Sequence, residues 1–237
     1  MNNPSLSEAI ESSLTLEGGL AIAMTVALFS IFQIVHRRLL PYSLAHPLIL
    51  TAACIGISII TSTYTLEQYQ HAVTLLHWAL GPITVALAVP LYQQWHEIRR
   101  QGFPLIAGIV FGGVVAPLLA WLSVGALESP LTLQLTFLAK SITTPLAIDA
   151  SNAIGGEPAL AAVFVIVTGV VGATFSQITF RLLKVQNKQA QGIALGTVAH
   201  AVGTAKAVSE DSMTGACASM ALCLNGLMTV IILPLLF

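Results

Sequence analysis

Charge is what this 237-residue chain lacks most. Nine Lys and Arg and ten Asp and Glu make up 8% of it, against 56% hydrophobic residues and a mean hydropathy of +0.86. A soluble domain carries about 25% charged residues, so the composition excludes a soluble globule and, with its long apolar runs, a disordered chain. A net charge of −1 leaves no basic face for nucleic acid. Cysteine is scarce too. Cys54, Cys217 and Cys223 lie in apolar stretches at no metal-ligand spacing and read as small buried thiols. Residues 1–18 hold Glu8, Glu11 and Glu17 but no Lys or Arg, so they lack the basic start of a secretory signal. They read as a short extracytoplasmic tail ahead of a retained span. Enzyme signatures are missing as well: there is no HExxH, GxSxG or P-loop and no zinc spacing. His96 and Glu97, beside Arg99, read as solvated. The chain is not read as an enzyme, and no metal or cofactor is expected.

What is present is apolar sequence in membrane-sized pieces. A helical span needs roughly 20 apolar residues. Residues 19–35, 47–63, 70–92, 104–124, 158–180 and 214–237 qualify, and 131–151 and 190–207 are less hydrophobic. The expectation is an all-α polytopic membrane protein of about 6–8 membrane segments, with 19–237 as one transmembrane domain. The runs are too long and continuous for a β-barrel.

Basic residues orient the chain. Arg37-Arg38, Arg99-Arg100, and Arg181 with Lys184 and Lys188 mark cytoplasmic loops, and the Glu67 and Glu128 loops carry no basic residue. That threading requires 131–157 to leave and return on one side of the membrane. The same difficulty recurs at 190–212. Each is expected to be a re-entrant hairpin or a helix broken in the membrane.

The breaks have local causes. Proline removes a backbone donor and clashes with the preceding turn. Gly81-Pro82 and Pro90 interrupt the third span, Pro145 interrupts 131–151, and Gly192, Gly196 and Gly203 punctuate 190–207. Freed backbone groups are tolerated in a bilayer only where protein or a wet cavity meets them. Paired interrupted segments point to a transporter's substrate site, although each proline also fits a simple kink. LGPITVALAVP (80–90) and SITTPLAIDA (141–150) each precede a Pro-initiated span, which suggests an internal repeat.

Ionisable groups at membrane depth are functional candidates. Lys140 and Asp149 flank the Pro145 break, with Ser141, Thr143 and Thr144 as hydroxyl donors. Two readings of the first pair stay open. It is either an internally paired Lys–Asp couple, or Lys140 meets an anionic substrate while Asp149 accepts a proton. In GIALGTVAHAVGTAKA (192–207), Thr197, His200 and Thr204 fall at steps of three and four and are expected on one helix face. Lys206 joins this candidate set, with pairing to Glu210 as its alternative. Gly108-xxx-Gly112 and Gly192-xxx-Gly196 fit helix-packing motifs. Helix N-termini made by such breaks attract carboxylate, so a small anion is the expected ligand. Released carbonyls leave a sodium or proton coupling site open.

KSITTPLAI (140–148), IGG (154–156) and GIALGTVAHAVGTAKA, with LGPITVALAVPLY (80–92) and LNG (224–226), together resemble the LrgB/CidB family. The resemblance covers most of the chain from about residue 50. It implies a multi-pass protein of the bacterial inner membrane, in a homo- or hetero-oligomer, beside a smaller LrgA/CidA-type partner. Two functions follow from it. One is secondary transport of small monocarboxylates such as pyruvate, glycolate or glycerate. The other is a holin- or antiholin-like role that tunes murein hydrolase activity and lysis. The sequence departs from the family pattern at Ala199 and Ala201, which flank His200, and at Lys206, where the family commonly has Ser, Gly and Arg.

Overall fold

A computed structural model describes residues 5–38, 47–79 and 102–237, with isolated positions between them (Pro82, Val85, Tyr92, His96, Arg99 and Arg100). The described residues are helical throughout their ordered elements and contain no strand, as an all-α membrane protein requires. Two compact units divide the chain, Met1–Ile83 and Thr84–Phe237.

The first unit holds α1 (Leu6–Leu14), α2 (Leu16–Arg38), α3 (Pro47–Thr61), α4 (Leu66–Ala72) and α5 (Thr74–Trp78). The expected N-terminal tail is mostly helix. Ser5 and Glu8 form a reciprocal capping box that satisfies two of the first-turn amides of α1. A second box, Thr65 with Gln68, starts α4, and the Thr25 hydroxyl meets the Tyr69 hydroxyl at 2.8 Å to tie α2 to α4. Of the break expected in 70–92, Pro82 itself is helical and exposed. Gly81, Pro90 and most of the 80–90 half of the suggested repeat lie outside the described residues.

The second unit contains α6 (Phe103–Gly125), α7 (Leu131–Leu138), α8 (Thr144–Ala153), α9 (Pro158–Leu182), α10 (Lys188–Val198), α11 (His200–Glu210) and α12 (Ser212–Leu236). Helices α2, α6, α9 and α12 are long and apolar enough to span. At 1.5 Å per residue the 25 residues of α12 reach about 37 Å, beyond the roughly 30 Å of hydrocarbon. The 8 to 11 residues of α7, α8, α10 and α11 reach only about half of it.

These short helices pair as two hairpins hung from opposite ends of α9. The first, α7–α8, lies between the end of α6 and the start of α9. Pro145 stands in the first turn of α8, where its missing donor is harmless, so it begins the returning half and does not kink a continuous helix. The base of this hairpin is fastened by the Glu157 amide, which donates to the Thr136 hydroxyl at 2.8 Å. The second hairpin, α10–α11, lies between the end of α9 and the start of α12, beside Arg181, Lys184 and Lys188. The order hairpin then span therefore occurs twice, in α7–α9 and α10–α12, on opposite sides. This inverted pairing differs in register from the repeat suggested by the sequence.

The bend of the second hairpin falls at Ala199–His200, with His200 at φ +39°, and not at Gly196 or Gly203, which are both helical. The glycines serve packing. A Cβ on Gly196 would collide with the Ala218 carbonyl oxygen of α12, and one on Gly192 with that of Thr214. The matched stagger makes α10 and α12 parallel neighbours at backbone contact, which small residues permit in lipid. Gly203 lies under the bend, where a Cβ would press on Ala199 and the Leu195 carbonyl. The Gly108-xxx-Gly112 motif also packs inside the chain, facing Ile193 and Thr197 of α10. Helix α12 is the axis of the unit: 56% of its most apolar window is buried, against 33% for α9 and 17% for α6.

Asp211 caps α12, accepting from the Thr214 amide (2.9 Å) and hydroxyl (3.2 Å), and the amide bond holds its carboxyl below the ordinary value of 3.8. A carboxyl lowered by folding stabilises above its unfolded pKa and loses that contribution as pH falls through the folded one. Asp211→Ala is therefore expected to lower the Tm in detergent at neutral pH, and the difference from the parent to vanish as pH falls below 3.8. Gly196→Ala is expected to destabilise by about 1–3 kcal/mol through overpacking. Gly56→Ala, where a Cβ meets nothing, should stay within about 0.5 kcal/mol. Thermal denaturation of the three variants checks all three expectations.

Candidate functional site

The site is built where the tips of the two hairpins meet α12. Residues 139–143 leave helical geometry between α7 and α8, so the Ser141 carbonyl has no helical partner. Thr197, near the end of α10, presents another. One side chain answers both. Asn225 of α12 donates from Nδ2 to the Ser141 carbonyl (3.0 Å) and to the Thr197 carbonyl (3.1 Å). It is 1% exposed. Its two amide hydrogens match two acceptors, which fixes the amide's orientation; a flipped amide would set an oxygen against two carbonyls.

Polar groups around this junction are buried without a hydrogen-bond partner: Thr143 Oγ1, Thr197 Oγ1 and His200 Nδ1. Lys140 stands at the tip, half-buried, its Nζ donating to Ser141 Oγ at 3.0 Å. Thr143 begins α8 without a side-chain cap, and Pro145 contributes no donor. The Thr144 and Leu146 amides of that first turn are left unmet by the helix, at its partly positive end. Such an end favours an anion.

His200 is 2% exposed and faces α9, where its Nε2 donates to the Val165 carbonyl at 2.8 Å and its ring covers Gly169. An acceptor at Nε2 places the proton there, so Nδ1 of the neutral ring offers a lone pair.

The structure separates residues that the sequence groups together. Thr197, His200 and Thr204 do not share a face. Thr197 turns its methyl to Gly112 of α6, His200 turns to α9, and the Thr204 hydroxyl donates to the Ala218 carbonyl of α12 at 3.4 Å. The bend between residues 199 and 200 rotates the second half relative to the first. Asp149 is exposed and, among the described residues, makes no ion pair with Lys140. Lys206 lies away from the tips. Its Nζ donates to the Ala173 carbonyl and to Ser176 Oγ (2.9 Å), and it stands 3.9 Å from Glu210. With Gln177 donating to Glu210 at 2.8 Å, it fastens α11 to α9. Lys140, Ser141, Thr143, Thr144, Thr197 and His200 remain as the grouped candidates. Asn225 is the residue that sequence reasoning left out of the site, although a lone Asn in a 25-residue apolar span is itself a signal.

The family model described as the LrgB-like family matches residues 25–237. The chain is 32% identical over 204 residues to the uncharacterized protein YxaC of Bacillus subtilis (strain 168), covering 85% of this chain and 88% of that protein. It is 31% identical to the uncharacterized protein YwbG of the same organism, covering 92% and 97%. It is 28% identical to the antiholin-like protein LrgB of Bacillus cereus (strain B4264), covering 73% and 75%. No solved structure matches. With several spans and a family match over most of its length, the chain is a multi-pass membrane protein that belongs to the LrgB-like family.

Proposed function

We propose that this protein is a secondary transporter, or the carrier subunit of one, for small monocarboxylates such as pyruvate, glycolate or glycerate. The observation that carries the reading is the junction at Asn225, where two membrane-buried breaks converge and leave hydroxyl, imidazole and amide groups unpaired. A carboxylate needs donors and a positive charge to leave water. Lys140, the Thr143 and Thr197 hydroxyls and the open first turn of α8 supply both within one region. A hydroxyl beside the carboxylate can donate to His200 Nδ1, and a keto oxygen there can accept from the Thr143 or Thr197 hydroxyl. Asp149, exposed on α8, stays a candidate proton acceptor along a path to this region, and the coupling ion in this proposal is a proton or sodium. The role assigns no bond-making chemistry to the protein. Its setting is the bacterial inner membrane, with a small LrgA/CidA-type protein as partner, in a homo- or hetero-oligomer.

A second reading is favoured by the antiholin-like name of the Bacillus relatives: a holin- or antiholin-like membrane protein that modulates murein hydrolase activity and lysis. It requires assembled helices and no ligand at the hairpin tips.

Reconstituted protein is expected to take up at least one of the three labelled acids saturably, with the imposed gradient identifying the coupling ion. Asn225→Ala should reduce uptake about ten-fold or more, since two buried carbonyls lose their donor. Thr204→Val, away from the tips, should retain most of it. Absence of uptake of all three acids by folded protein, with and without the partner, would sink the transport reading. Lysis altered by deletion yet unaffected by His200→Ala and Thr144→Ala would then favour the second.

A further inference from the structure

Three of the nine basic residues of the chain converge on one cavity at the base of the second hairpin. It measures about 520 Å³, within the roughly 300–1,000 Å³ of ligand pockets, and lies where α9 ends, α10 begins and α11 ends. Arg181 reaches it from the last turn of α9, Lys184 from the turn that follows and Lys188 from the first turn of α10. Glu210, at the end of α11, is the one carboxylate among the lining residues, and it already meets Gln177 at 2.8 Å and Lys206 at 3.9 Å. Lys188 also feels the charge of Asp211. The side chains of Arg181 and Lys184 have no ion pair among the described residues. Lys184 holds φ +54°, the helix-ending conformation that glycine adopts without strain, so the chain keeps a cation where a glycine would fit more easily. Basic residues after a span orient it, but orientation does not require them to line one cavity. Beside the cavity α9 carries a bare apolar stripe. Val171, Phe175, Ile178 and Leu182 fall at steps of three and four on one face and are 46–77% exposed. Arg181 follows Ile178 by three residues and stands at the edge between stripe and cavity.

We propose that this cavity holds the phosphate of an anionic phospholipid, whose acyl chains lie along the α9 stripe. Basic pockets between helices at a membrane face suit such headgroups. Arginine can meet a phosphate with two parallel bonds, and lysine meets it as a point charge. Three cations against one engaged carboxylate favour an anionic headgroup over one that also carries an ammonium. The stripe selects a lipid over free phosphate, because only a lipid covers Ile178 and Leu182 while its phosphate meets Arg181. The consequence is mechanical. Lys206, Gln177 and Glu210 already fasten α11 to α9. A phosphate joining Arg181 and Lys184 to Lys188 fastens the other leg, α10, and adds to the Gln191 bond to the Val185 carbonyl (2.7 Å). The second hairpin is then held by both legs, and the lipid sets how firmly its base is anchored.

Full-length protein stripped of lipid in detergent is titrated with dioleoyl phosphatidylglycerol or dioleoyl phosphatidylcholine, and the first bound lipid is counted by native mass spectrometry. Phosphatidylglycerol is expected to bind about ten-fold tighter, on a scale of about five-fold per basic residue at an anionic surface. Arg181→Gln with Lys184→Gln, both exposed side chains, is expected to bring the two lipids within about two-fold of each other. Arg38→Gln, exposed in a different basic cluster, should keep the preference. Hydrogen exchange is expected to slow at residues 183–191 and 206–211 with phosphatidylglycerol and not with phosphatidylcholine. Equal binding of the two lipids, or exchange that phosphatidylglycerol leaves unchanged, would overturn the proposal. So would a preference that the folded, monodisperse double variant keeps, or that Arg38→Gln also loses. Inorganic phosphate giving the same protection at the same concentration would assign the cavity to a soluble anion and overturn it too. None of these readings depends on uptake, so transport can fail while this site stands.

Discussion

Backbone carbonyls and amides cannot be left bare in hydrocarbon, and each break in a membrane helix exposes several of them. In the second unit of this protein one carboxamide meets that demand for two breaks at once. Asn225 gives one hydrogen to Ser141 and the other to Thr197, from hairpins that enter from opposite sides. Much of the surrounding packing follows from bringing that amide to both tips. Helix α12 has to run beside α10 at backbone distance, which explains Gly192 and Gly196 facing Thr214 and Ala218. Helix α6 has to leave room for the amide oxygen, and it presents Gly113 there. Asn225 is therefore a junction, and the small residues around it are the steric condition for that junction.

The two hairpins are firm at their bases and unsaturated at their tips. Thr136 closes one base through the Glu157 amide, and Lys206 and Glu210 close the other against α9. At the tips the hydroxyls of Thr143 and Thr197 and one nitrogen of His200 find no protein partner. His200 also holds a backbone conformation that non-glycine residues seldom adopt, at φ +39°, braced by its bond to Val165 and by the open face of Gly169. Unpaired buried polar groups and local strain together are the features on which the proposed ligand site rests. The two lysines near these hairpins illustrate the division. Lys140 stands at a tip beside unpaired groups, while Lys206 is consumed by contacts that hold a base together.

A good part of this was legible in residue order. Low charge and long apolar runs identify the membrane. The less hydrophobic segments 131–151 and 190–207 mark the two hairpins, and the basic loops require both to return to the side they left. Pro145 correctly locates the start of α8. The detail failed where a single torsion decided it. Steps of three and four put Thr197, His200 and Thr204 on one face only if the helix continues, and the bend at residue 199 sends them to α6, α9 and α12. Asp149 looked like a partner for Lys140 from spacing alone, yet it lies exposed on the returning helix.

Hydropathy, charge placement and proline act over one or two helical turns, so the chain's own order determined its membrane class, its four long apolar helices and the two segments within which the hairpins fall. Which breaks meet, and through what, was decided only in three dimensions. The partners of Asn225 lie 84 and 28 residues away along the chain. No local pattern specifies such pairings, because they arise when four separate helices are packed closely enough for one amide to reach across them.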